Sequence, residues 1–164
     1  MSQQIVIDSL AFVQEAGSLQ GELRIAQLSR THDWLAQTSG AVAYRVSAVS
    51  GERGQSQLKI EVDGVLQLRC QRCLEAMEYS LQLNSRIELV SSEAEITQEE
   101  LEDDSRDYLP AQQELDVVAL IEDEIILALP FAPRHESCSV PLAGPRTSKV
   151  LPFAALAALK GKPA

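Results

Sequence analysis

Three cysteines occur among the 164 residues, and two of them stand in the stretch Cys70-Gln71-Arg72-Cys73-Leu74-Glu75. The third closes the sequence His135-Glu136-Ser137-Cys138. The pattern is C-x2-C, a long excursion, then H-x2-C, which offers three sulfurs and one imidazole. If the two ends meet, that is a tetrahedral ligand set for zinc. Four protein ligands leave no open position for a catalytic water, so such an ion would hold structure and not hydrolyse. Sixty-one residues separate Cys73 from His135, so closure of the site is an inference about the fold. Two other readings compete. The cysteines can be plain unmetallated thiols, or Cys70 or Cys73 can be a redox thiolate whose ionisation Arg69 and Arg72 favour. The redox reading lacks the βαβ setting of a thioredoxin-like motif, because strand patterns flank the C-x2-C on both sides.

No other chemistry is suggested, and no catalytic residue is assigned. Neither G-x-x-x-x-G-K nor G-x-G-x-x-G occurs, which leaves no phosphate loop. The two histidines, His32 and His135, fall in no Ser/His/Asp pattern, and His32 reads as a surface or capping residue. Glu122, Asp123 and Glu124 are adjacent on a helix and point in different directions; the expectation is a solvent-facing cluster, not general acid-base machinery. The carboxylates between Ser91 and Asp107 lack the glycine and ligand spacing of a calcium loop.

The elements that must position the thiols can be read from periodicity. Ile5 to Phe12 alternates weakly, and Ser18 to Ala26 has apolar residues two or four apart, as a strand does. Ser29 to Gln37 reads as a short helix with Ser29 as N-cap and Trp34 and Leu35 turned inward. Ala41 to Val49 alternates, Gly51 to Gly54 supplies a turn, and Leu58, Ile60 and Val62 share one face of the next strand. Asp63-Gly64 carries the strongest hairpin signal, so Val65 to Cys70 is expected to return antiparallel. Tyr79 to Val90 then forms a further strand with a break at Asn84-Ser85, and the C-x2-C lies between two strands like a knuckle. Asp116 caps the clearest helix, which runs to Leu129 because Pro130 forbids continuation. Prolines 130, 133, 141 and 145 stiffen the loop that presents His135 and Cys138.

The fold expected is α+β: a mainly antiparallel sheet or partly closed barrel with one long packed helix and short terminal helices. Residues 1–164 are expected to form a single domain. Within it, 91–114 is an acidic mobile connection and 139–164 an extended tail with a short helix in Leu151 to Lys160.

Net charge is −10, unevenly placed: Glu88 to Glu124 holds fourteen acids and one base, whereas Arg134 to Ala164 holds five bases and one acid. That overall sign disfavours sequence-independent binding of nucleic acid by the whole fold. No apolar run approaches the roughly 20 residues of a spanning helix, and the N-terminus shows no basic segment ahead of its apolar residues. A cytoplasmic location without membrane contact is expected, and there a C-x2-C is more at home as a metal or redox site than as a disulfide.

CQRCLE after a β run, EDEIILALP in the later helix, the H-x2-C loop and the C-terminal PFAALAALK together resemble the YceD family, the large ribosomal RNA subunit accumulation proteins of bacteria and plastids. The resemblance runs in order from Ser18 to Lys160. It implies a non-enzymatic role in ribosome biogenesis, supporting synthesis or accumulation of large-subunit ribosomal RNA, with no small-molecule substrate. Family members often carry a second C-x2-C where this chain has His135 and Cys138, and histidine is an acceptable zinc ligand in that place. The partner expected is a ribosomal protein or pre-ribosomal particle, met by the acidic segment and the C-terminal helix. The rival is direct contact with ribosomal RNA through Arg69, Arg72, Lys149, Lys160 and Lys162, and a thiol or zinc enzyme stands behind both.

Overall fold

The computed structural model describes residues 4–138 other than Asp104. Along the chain run β1 (Val6–Ile7), α1 (Ser9–Gln14), β2 (Ser18–Arg24) and two 3-10 turns, Ile25–Gln27 and Ser29–Trp34. Then come β3 (Leu35–Gln37), β4 (Ala41–Ser50), β5 (Ser56–Arg69) and β6 (Ala76–Val90). A 3-10 turn at Glu93–Glu95 precedes α2 (Gln98–Leu101), β7 (Asp107–Pro110), β8 (Leu115–Asp116) and α3 (Val117–Ala128). The main sheet has the order β2-β4-β5-β6-β7, and β3 pairs with the part of β5 that β4 leaves uncovered. All its pairings are antiparallel except β6 with β7. The order ends at β2 and β7 without joining them, so the sheet is open and not a barrel.

Period-two alternation decides what each face carries. Along β5, Leu58, Ile60, Val62, Leu66, Leu68 and then Cys70 point inward and are buried, while Lys59, Glu61, Asp63, Gln67 and Arg69 alternate with them. Val42, Tyr44 and Val46 on β4 and Leu81, Leu83, Ile87 and Leu89 on β6 continue the apolar face. Against it lies α3, whose Val117, Leu120, Ile121 and Ile125 recur at three, one and four. Asp116 accepts from the amides of Val118 and Ala119, as an N-cap should, and Pro130 follows the end. Truncating Ile125 to Ala at this contact would cost about 2–5 kcal/mol. On the opposite face, beside β2, stand Ala43, Arg45, Glu61 and Asp63.

Several expectations are corrected. Asp63-Gly64 is no turn, because β5 runs through it for 14 residues. Gly64 stands directly opposite Val42, where a Cβ would come within 2.7 Å of Val42 Cγ1, so this glycine serves a close strand approach. The hairpin instead closes at Cys70 to Glu75, and β6 continues without a break through Asn84-Ser85. Ser29–Trp34 is 3-10 rather than α, and Leu35 already belongs to a strand. The stretch Val6 to Phe12 splits into a two-residue strand and a helix capped by Asp8.

The acids of α3 are corrected as well. Glu122 and Glu124 are buried, and only Asp123 is exposed. At about 100° per residue Glu124 falls on the same side as Leu120 and Ile121, a placement that helical spacing alone contains. Glu122 accepts from the Arg30 amide and from Arg30 Nε at 3.0 Å, while Arg30 Nη1 reaches Asp123 at 2.6 Å and Nη2 reaches the Ala119 carbonyl at 2.9 Å. One arginine thus ties the 3-10 turn before β3 to the outer flank of α3. No helix among the described residues is long and apolar enough to cross a membrane.

Candidate metal centre

Cys70 directly follows β5 and continues its inward-facing series, which is why its thiol lies on the covered side of the sheet and is fully buried. The chain then reverses tightly. The Cys70 amide donates to the Glu75 carbonyl and the Leu74 amide to the Cys70 carbonyl, both at 2.9 Å. Leu74 sits at φ +64° with its side chain mostly exposed, a left-handed conformation that costs a non-glycine residue about 1–2 kcal/mol. The turn is therefore held against a local preference, and it projects both cysteines to one side.

The loop after α3 is fastened to this turn by its backbone. The Gln71 amide donates to the carbonyl of buried Pro133 at 2.8 Å, which leaves His135 and Cys138 facing the cysteines. Cys70 Sγ lies 3.9 Å from Cys138 Sγ, and Cys73 Sγ lies 3.4 Å from His135 Nδ1. All four ligand atoms fall within 4.8 Å of one another. Ligands about 2.3 Å (sulfur) and about 2.0–2.1 Å (nitrogen) from a tetrahedral zinc stand about 3.8 Å and about 3.5 Å apart, so the spacing fits that ion.

The surroundings fit it too. His135 Nε2 lies 3.2 Å from the Ala76 carbonyl, and the tautomer that donates there leaves Nδ1 with its lone pair toward the sulfurs. The Arg72 amide donates to Cys70 Sγ at 3.4 Å. Burial works to raise the Cys70 pKa, but backbone N–H groups of Cys73, His135 and Arg72 outweigh it and bring the thiol down to about 5. Cys138 moves the other way, raised by burial and by its contacts with Cys70 and Cys73. The two directions describe one fact: the cluster accepts a first negative charge readily and resists the next. A divalent cation would relieve that repulsion and hold all three thiolates.

The structure thus brings together Cys70, Cys73, His135 and Cys138. Arg69 and Arg72 are exposed beside them and join no ion pair among the described residues. Lys149, Lys160 and Lys162, with the whole 139–164 tail, lie outside the described residues. The carbonyls of Pro133 and Ala76 escape a reading by side-chain type, since only their backbone takes part. Arg30 escaped because its partners are about ninety residues away.

The family model described as large ribosomal RNA subunit accumulation protein YceD matches residues 58–160, a span that contains all four clustered side chains. A protein of Haemophilus influenzae with that same name is 32% identical over 118 residues, which cover 63% of this chain and 64% of the relative's length. No solved structure matches the chain. The family model covers well over half of the sequence, and the chain belongs to the YceD family.

Proposed function

We propose that this protein is a non-enzymatic factor of ribosome biogenesis that supports the accumulation of large-subunit ribosomal RNA. It would act in the cytoplasm, as one domain, by binding a ribosomal protein or a pre-ribosomal particle. The observation that carries this reading is the family match, which spans the thiol and imidazole cluster together with nearly all of β5, with β6 and β7, and with α3. A zinc ion held by Cys70, Cys73, His135 and Cys138 would cross-link the β5–β6 turn to the loop after α3. Filled by four protein ligands, it would offer a substrate no free position.

The acidic stretch Glu93 to Asp107 suits a basic ribosomal protein, since opposite potentials speed encounter and set orientation. Contact with RNA is the second reading. It is favoured by the exposure of Arg69 and Arg72 at the tip of the longest hairpin. The test is to purify the tagged full-length chain from growing cells and quantify co-purifying precursor large subunits. Enrichment of large-subunit precursors over small-subunit RNA is expected; equal recovery of both overturns the role. Salt titration then separates the two partners. Isolated RNA is expected to bind poorly at moderate salt while a basic ribosomal protein binds well, an outcome that removes the RNA reading; RNA that binds at moderate salt more tightly than the ribosomal protein supports it.

A further inference from the structure

The two ends of the strand order β2-β4-β5-β6-β7 are treated differently. At one, β7 is four residues long, begins at Asp107 and ends at Pro110, so it offers few free backbone groups to another strand. At the other, β2 runs for seven residues, Ser18–Arg24, with neither proline nor lysine and no bulge in its register with β4. Nothing pairs with its outer side among the described residues. Register tells which groups are free. Ile25 N–H donates to the Gly40 carbonyl and Gly17 C=O accepts from Ala48, so the odd-numbered residues bond toward β4. The N–H and C=O groups of Ser18, Gln20 and Glu22 therefore point outward. Gly21 does not weaken this edge, because the Tyr44 ring covers it, with the hydroxyl 3.0 Å from where a Cβ would stand.

Beside this edge lies a depression of about 490 Å³. Its floor is the small side chain of Ala43, and Gln20, Glu22, Arg45, Glu61 and Asp63 rise around it. Glu22 and Asp63 are the two cross-strand partners of Ala43, so they flank it with Cα atoms about 10 Å apart. Arg45 is turned to Gln20 at 3.1 Å and Glu61 is held by Lys59 at 2.7 Å. The Glu22 and Asp63 carboxylates take part in no ion pair among the described residues.

We infer that β2 is a docking edge for an extended basic segment of another protein, which adds to the sheet as a further strand. Backbone groups of the guest pair with Ser18, Gln20 and Glu22. Its residues opposite those three place their side chains on the face that carries Ala43, where a lysine or arginine enters the gap between Glu22 and Asp63. Its intervening residues point to the covered face beside Leu19 and Leu23 and should be apolar. The recognised sequence therefore alternates basic and apolar residues. The inference rests on the proposed binding role for the kind of partner involved, but it uses neither the thiol cluster nor the acidic stretch.

The test uses the full-length chain and a capped nine-residue peptide alternating arginine and valine. Controls are the same peptide N-methylated at the amides that would face β2, and one with glutamate for arginine. Binding is followed by titration calorimetry, and protection of the Ser18, Gln20 and Glu22 amides by hydrogen exchange. The parent peptide should bind and protect those amides, and either control should bind about tenfold or more weakly. Gln20→Pro, placed where the N–H faces solvent, should abolish binding while circular dichroism stays unchanged. The inference is overturned if the methylated peptide binds as well as the parent, if no peptide binds, or if Gln20→Pro folds and still binds. It is overturned too if sedimentation shows a dimer that Gln20→Pro dissolves, for the edge would then belong to a second copy. None of these results bears on co-purification with precursor particles, so the two readings fail separately.

Discussion

The helix α3 is secured at both of its sides by polar groups from distant parts of the chain, and the two fastenings differ in what they need. Near its end, three thiols and an imidazole meet across 68 residues in a cluster that repels itself as it ionises. On its flank, Arg30 meets Glu122 and Asp123 across about ninety residues, and there one guanidinium is shared between two carboxylates within the protein. The arginine clasp is complete as it stands. On the proposed zinc site the thiol cluster is complete only with its cation, so one fastening should respond to chelation and the other should not.

The largest effect should come from the cluster. Cys73→Ser should lose one equivalent of bound zinc and several kcal/mol of stability, because metal affinity in such a site is folding free energy. Metal analysis of protein purified without chelator, with melting curves before and after chelator, checks both. Metal-free wild type that melts unchanged would remove the contrast with Arg30. A smaller loss is expected at the clasp, where Glu122→Gln should cost about 1–3 kcal/mol by weakening bonds to a charged donor. The Arg30 side chain is 48% exposed, so solvent screens its half and the lower end of that range applies. Chelator should leave this deficit unchanged, and in the double variant the two losses should add, as for separated sites.

The smallest effect sharpens the comparison, since it concerns a polar group on α3 that is not fastened at all. Glu124 is buried against Ser85, whose hydroxyl makes no full hydrogen bond, and burial raises its pKa, helped by nearby Asp107 and Asp123 while Ser85 opposes. A folded-state pKa above the unfolded one means the protonated carboxyl favours the fold. That contribution is whole below about 4.3, the ordinary glutamate value, and is lost as pH rises through the folded-state value. Glu124→Gln should therefore raise the melting temperature at neutral pH, and the gain should vanish in acid. A gain that stays constant with pH would show that Glu124 titrates normally.

Much of this protein was legible in one dimension. Alternation gives Leu58, Ile60 and Val62 one shared face, because side chains change sides at every residue, but only the continuous strand through Asp63-Gly64 carries that face on to Cys70. The limits of α3 follow from Asp116, which caps its amides, and Pro130, which has no N–H to donate. Four possible ligands follow from residue type and spacing. Pairing and distance required three dimensions. Gly64 has the composition of a turn, yet only the presence of Val42 across the strand shows it as a place of close approach. Glu122 looks like a surface acid until Arg30 is seen beside it. The meeting of Cys70 and Cys73 with His135 and Cys138 depends on the loop after α3 reaching the β5–β6 turn, where the Gln71 amide meets the Pro133 carbonyl. Local pattern determines which way each residue faces, but only the packing of distant elements decides what it finds there.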